Sequence, residues 1–184
     1  SVQLRSLTDE PLLLAALENL KKVISTPEFP EDAIERLRAQ TLIGLQAKKQ
    51  NPSALARDAF MNAVYQSHPY AQPSIGTEES VAKIKLKDIK SFYKQHYVSN
   101  NAMVAIVGAV HRERAEIIAE DVLSKLEKGQ KAKTLESVNI LEAAKKVFIE
   151  HPSAQTHILV GQAGLKRGDQ DYFPLYVGNH VLGG

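Results

Sequence analysis

Apolar residues recur at helical spacing along most of this chain, and four short stretches break that rhythm by alternating or running together. The first, near residues 1–8, alternates Val2, Leu4 and Leu7 with Gln3, Arg5 and Thr8, close to the period of two of a strand with one buried face. From Asp9, a suitable N-cap, with Pro11 in the first turn, a helix is expected to about Ser25. It would place Leu13, Leu14, Leu17, Leu20 and Ile24 on one face. After a loop over residues 26–32, a second helix is expected from about Pro30 to Lys49, with Glu31 and Asp32 at its positive end. Asn51-Pro52 breaks it, and Ser53 is read as the cap of a third helix ending at Tyr65. Residues 67–77 read as a loop, followed by a short helical turn. A helix over 87–97 then turns Ile89, Phe92 and Tyr93 inward. The run 100–110 is almost wholly apolar and reads as a strand buried on both faces. A helix over about 112–126 precedes residues 128–144, which lack a period and read as a linker. Strands at 146–150 and 156–162, then a helix capped by Asp169, complete the chain. The expected fold class is α+β: mixed strands covered by helices on one face.

At 184 residues there is room for one sizeable core or two small ones. A net charge of +2 lacks the clustered basic stripe of a nucleic-acid binder, so nucleic acid is not an expected partner. With no cysteine, disulfides, thiolate metal sites and thiol catalysis are excluded. No apolar run reaches the roughly 20 residues that span a bilayer, so membrane insertion is not expected. Nor do residues 1–8 read as a signal peptide, so any targeting segment would lie outside this chain.

The candidate chemistry is sparse. The histidines at 68, 96, 111, 151, 157 and 180 fall in no His-Glu-x-x-His or His-x-x-Glu-His spacing. No Gly-x-Ser-x-Gly elbow supports a hydrolase triad. Residues 161–168, GQAGLKRG, lack the Gly-Lys-Ser/Thr ending of a phosphate loop and read as a plain turn. Lys83, Lys85, Lys87, Lys90 and Lys94 read as a solvated face. Gly44 stands inside the second helix, where glycine costs about 1 kcal/mol relative to alanine. Either the position has no side-chain duty, or it needs close packing.

Taken in order, ERLRAQTLIGLQ, HPYAQPSIGTEES and LKDIKSFYKQHYVSNNAMVAIVGAV resemble the pitrilysin-type M16 metallopeptidases, the group of insulin-degrading enzymes and mitochondrial processing peptidases. The most specific parts are His68-Pro69-Tyr70 with Gly76, the run from Phe92-Tyr93 through Tyr97, Asn100 and Asn101 to Gly108, and the ending Asn179 to Gly184. The resemblance implies that residues 1–127 are the later part of one M16-type domain, 128–144 a linker, and 145–184 the start of a second. Active members of the family hold zinc through two histidines of a His-x-x-Glu-His helix and a glutamate on a later helix, with the motif glutamate as general base. The motif would lie upstream of Ser1. Counted from the match at Glu35-Arg36-Leu37-Arg38, the glutamate ligand falls at Gly44, which cannot ligate; Glu35 lies roughly 13 Å away along the helix.

This chain therefore resembles the zinc-less subunits of the family, with no catalytic or metal residue of its own and no cofactor. The resemblance implies a partner, either an active M16 zinc peptidase or a second copy, and a shared chamber for unstructured peptides, which such proteins take as an added strand. A periplasmic location is the corresponding expectation. The alternative is an active zinc endopeptidase whose motif lies upstream.

Overall fold

The computed structural model describes residues 1–183, and its regular elements are helices. They are α1 Glu10–Ser25, α2 Glu31–Lys48, α3 Pro52–Tyr65, α4 Glu78–Lys83, α5 Leu86–His96, α6 Arg112–Leu123 and α7 Tyr172–Leu182, with 3-10 turns at Pro69–Ala71 and Ser99–Asn101. Two compact units are present. One comprises residues 1–40 and 79–134, the other 41–78 and 135–184.

The expected α+β class is overturned, because no strand occurs among the described residues. Residues 2–8, 146–150 and 156–162, and most of 100–110, lie outside any helix or strand. Their side chains are open to solvent: Met103 is 93% exposed, Val107 99% and Val160 92%. A strand is a paired object; its N–H and C=O groups are satisfied only by a neighbour in register. Alternation records which residues could be buried once pairing occurs. It says nothing about whether a partner lies alongside.

In the first unit, α1 packs on α6. Leu17, Ile118 and Val122 form the buried centre, flanked by Leu13, Leu20, Ile24, Val110 and Leu123. The α1 face is thus the expected one except for Leu14, which is half exposed. An ion pair from Lys21 Nζ to Asp121 Oδ1 at 2.6 Å and another between Arg114 and Glu10 border this seam. Asp121 raises the Lys21 pKa, chiefly through that hydrogen bond.

The carboxyl end of α1 is held by α5. The Tyr93 hydroxyl donates to the Ile24 carbonyl at 2.7 Å, and its ring meets Phe29 edge-on at 5.6 Å. Desolvation, followed by the neighbouring Tyr97, pushes the Tyr93 phenol pKa up. Phe92, expected to face inward, instead lies exposed against the His96 ring. A one-residue step on a helix rotates a side chain by about 100°, so Tyr93 and Phe92 cannot both take this contact.

The Asn100-Asn101 pair ties down the beginning of the stretch expected to be a linker. Ser99 and Asn100 donate backbone N–H groups to the Glu127 and Lys128 carbonyls at 2.8 and 3.1 Å. The Asn100 amide donates to the Gly129 carbonyl at 2.9 Å, and the Asn101 side-chain oxygen accepts from Ala132 N–H at 3.2 Å. Gly129 has φ +52, and a Cβ there would come closer than 3.0 Å to Val98, itself 3% exposed. Only glycine satisfies both conditions.

Candidate functional site

The position singled out in the sequence can be placed directly. Gly44 lies in the interior of α2 on an exposed face. A Cβ built on it would meet nothing within 4 Å, so close packing does not explain the glycine. The second half of α2 and α3 belong to the same unit and are joined by a short turn over residues 49–51. Asn51, not Ser53, caps α3: its side-chain oxygen accepts from Ala54 N–H at 3.0 Å, and Pro52 opens the helix. Asparagine suits this role because its short amide reaches the orphan N–H groups, while proline loses nothing at a position with no intrahelical donor to satisfy.

Alongside α3 runs a groove of about 800 Å³, with Lys48, Arg57, Asp58, Met61, Tyr70 and Ile75 in its walls. Lys48 is tied to Asp58, while Arg57 is exposed. One wall is the Pro69–Ala71 turn, positioned by His68. The His68 Nδ1 accepts from Tyr70 N–H at 3.2 Å, and Nε2 lies 3.1 Å from the Glu136 carbonyl oxygen. Tyr65, His68 and Tyr70 form an aromatic cluster, with Tyr70 edge-on to both other rings at 5.5 and 4.6 Å. This groove offers apolar contact and charge.

In the other unit, Arg38 is an anchor that the sequence did not reveal. Its guanidinium donates to the Val81 carbonyl and, at 2.6 Å, to the Ile84 carbonyl, covering oxygens at the carboxyl end of α4. It also donates through Nε and Nη2 to Glu35 at 3.0 and 3.1 Å. That hydrogen bond, with the guanidinium charge, lowers the Glu35 pKa. A planar fork reaching two carbonyls and a carboxylate requires arginine rather than lysine. The Glu35-Arg36-Leu37-Arg38 run shows the i, i+3 pair, but the carbonyls it meets lie more than forty residues on.

No group of three His, Asp or Glu side chains that could hold a metal ion occurs among the described residues. A catalytic zinc needs three protein ligands and an open position, and the described residues do not bring such a set together. The GQAGLKRG segment holds no helix and ends in a turn closed by Asp169 N–H donating to the Lys166 carbonyl at 3.2 Å. No helix among the described residues is long and apolar enough to cross a membrane.

Residues 83–184 match the model of the peptidase M16 inactive domain. A solved structure of a peptidase M16 inactive domain from Pseudomonas fluorescens superposes with a TM-score of 0.72 at 34% identity, over 74% of this chain and 33% of that one. A Helicobacter pylori protein named a non-peptidase homolog is 30% identical over 93 residues, 50% of this chain and 22% of its own length. A Mycobacterium leprae protein named an uncharacterized zinc protease is 27% identical over 172 residues, 92% of this chain and 39% of its own. The chain thus spans well under half the length of these relatives.

Proposed function

The chain belongs to the peptidase M16 family, matching its inactive domain, and from that premise we propose that it acts as a non-catalytic subunit or domain. Its role is to form part of the wall of a substrate chamber that an active zinc peptidase of the same family completes. Gly44 is the observation that carries this reading. Counted from Glu35-Arg36-Leu37-Arg38, the glutamate ligand that the family resemblance implies would fall at Gly44, which offers no donor atom. Its exposed, open surroundings give the glycine no packing role in exchange. The likeness to a Helicobacter pylori non-peptidase homolog and to a Pseudomonas fluorescens M16 inactive domain supports the non-catalytic part of this reading. The substrates would be unstructured peptides, held through their backbones and through apolar grooves such as the one beside α3.

The test is to offer fluorogenic unstructured peptides to the chain alone, to an active M16 zinc peptidase alone, and to the two together. The proposal expects no cleavage by the chain alone, co-elution of the two proteins, and altered turnover in the mixture. Chelator-sensitive cleavage by the chain alone would overturn it. The second reading, an active zinc endopeptidase whose His-x-x-Glu-His motif lies upstream, is favoured by the zinc-protease names of several relatives. It predicts such cleavage from a protein that carries that motif together with these residues, and none from residues 1–184 alone.

A further inference from the structure

The groove beside α3 carries a positive charge that no neighbouring acid takes up. Ala54, Arg57, Asp58 and Met61 recur three and four residues apart, so they share a face of α3 and line the groove together. Lys48 and Asp58 neutralise each other, with Nζ 2.5 Å from Oδ2. Arg57 is exposed and enters no ion pair among the described residues. The opposite wall is residues 69–75. The buried Ala71 seats it against α3, and Pro69 and Pro73 fix two of its φ angles. Tyr70 and Ile75, each about half exposed, turn apolar surface to solvent. Along this wall the Ser74 and Ile75 N–H groups and the Ala71 and Gln72 carbonyls enter no backbone hydrogen bond among the described residues.

We propose that this groove binds an extended peptide carrying an aspartate or glutamate beside an apolar residue, with the carboxylate on Arg57 and the apolar side chain against Met61, Tyr70 and Ile75. A guanidinium presents its donors in a fork that matches a carboxylate. Within the groove nothing competes for it, because the acid lining the same face, Asp58, is taken by Lys48. The flexible thioether of Met61 adapts to apolar side chains of different shape, whereas Tyr70 stands on a turn stiffened by Pro69. The spare N–H and C=O groups of residues 71–75 supply the main-chain pairing through which an extended peptide is recognised. The proposal rests on the reading of the chain as a wall that holds peptides and narrows it to one class, acidic and apolar rather than basic.

The experiment uses the 184-residue chain and fluorescence anisotropy with labelled, amidated peptides. One peptide has a glutamate between two leucines in a glycine-serine frame, and the other has glutamine in its place. At low salt the glutamate peptide should bind about threefold to fivefold more tightly, the size of an exposed ion pair. High salt should shrink that preference. In Arg57→Gln the two peptides should bind alike, and Tm should stay at the wild-type value because Arg57 enters no ion pair in the fold. Ile75→Ser should weaken both peptides and leave the glutamate preference in place. No binding, equal affinity for the two peptides, a preference that survives Arg57→Gln, or displacement by octanoate as effective as by unlabelled glutamate peptide would overturn the proposal. The comparison of the two peptides on the wild-type chain stands whether or not a variant folds. No peptidase is present in this assay, so its failure leaves co-elution and altered turnover as the separate test of the non-catalytic role.

Discussion

Replacing Gly44 with alanine tests the reading of the helix on which the functional proposal turns. In the interior of α2 the substitution removes glycine's excess backbone entropy, worth about 0.8–1.0 kcal/mol in favour of alanine. Two structural terms could reverse that gain, and both are absent. The added Cβ meets nothing within 4 Å, and Gly44 is not among the residues with positive φ. The new methyl also gains no buried contact, so the propensity term stands alone. Gly44→Ala is expected to stabilise the chain by about 0.8–1.0 kcal/mol and raise Tm by about 2–4 °C. Urea and thermal unfolding followed by circular dichroism at an unchanged m-value would measure it. A destabilised variant would refute the reasoning, because it would mean that Gly44 is required by packing or backbone geometry and not merely tolerated.

Gly129→Ala should behave oppositely, losing about 2–4 kcal/mol in the same unfolding assay, because positive φ and a crowded Val98 both penalise a Cβ. Glu35→Gln should flatten the acid limb of stability. The Arg38 hydrogen bond holds the Glu35 carboxyl below its ordinary range, so its stabilisation is present above the unfolded-state pKa and lost as pH falls through the lowered folded one. Denaturant midpoints recorded on both sides of this range should differ less in the variant, and high salt should shrink the difference. Gly44→Glu should fold and show no peptide hydrolysis, since the two histidines and the glutamate of a His-x-x-Glu-His motif do not occur in this sequence.

Helices were legible because their signals are local. The α1 face, the Pro11 start and the Asn51-Pro52 break are all written within a few residues of where they act. The α+β expectation failed at the point where a local signal had to stand for a distant one. Residues 100–110 and 156–162 have the composition of buried strands, yet pairing is decided by what lies alongside. The same limit hid Arg38, whose carbonyl partners Val81 and Ile84 are remote in sequence, and the ties from Asn100 and Asn101 to residues 129–132. Gly44 stood out in the sequence because glycine is costly in a helix, but only the open space around it excludes packing as the reason.

Zinc stoichiometry combined with peptidase activity tests the central claim most directly. The natural protein with whatever segment precedes these residues, untagged, saturated with zinc, freed of loosely bound ion and assayed without a partner against an unstructured peptide, should retain far less than one zinc per chain and cleave nothing. One tightly held zinc per chain together with chelator-sensitive cleavage would contradict the account.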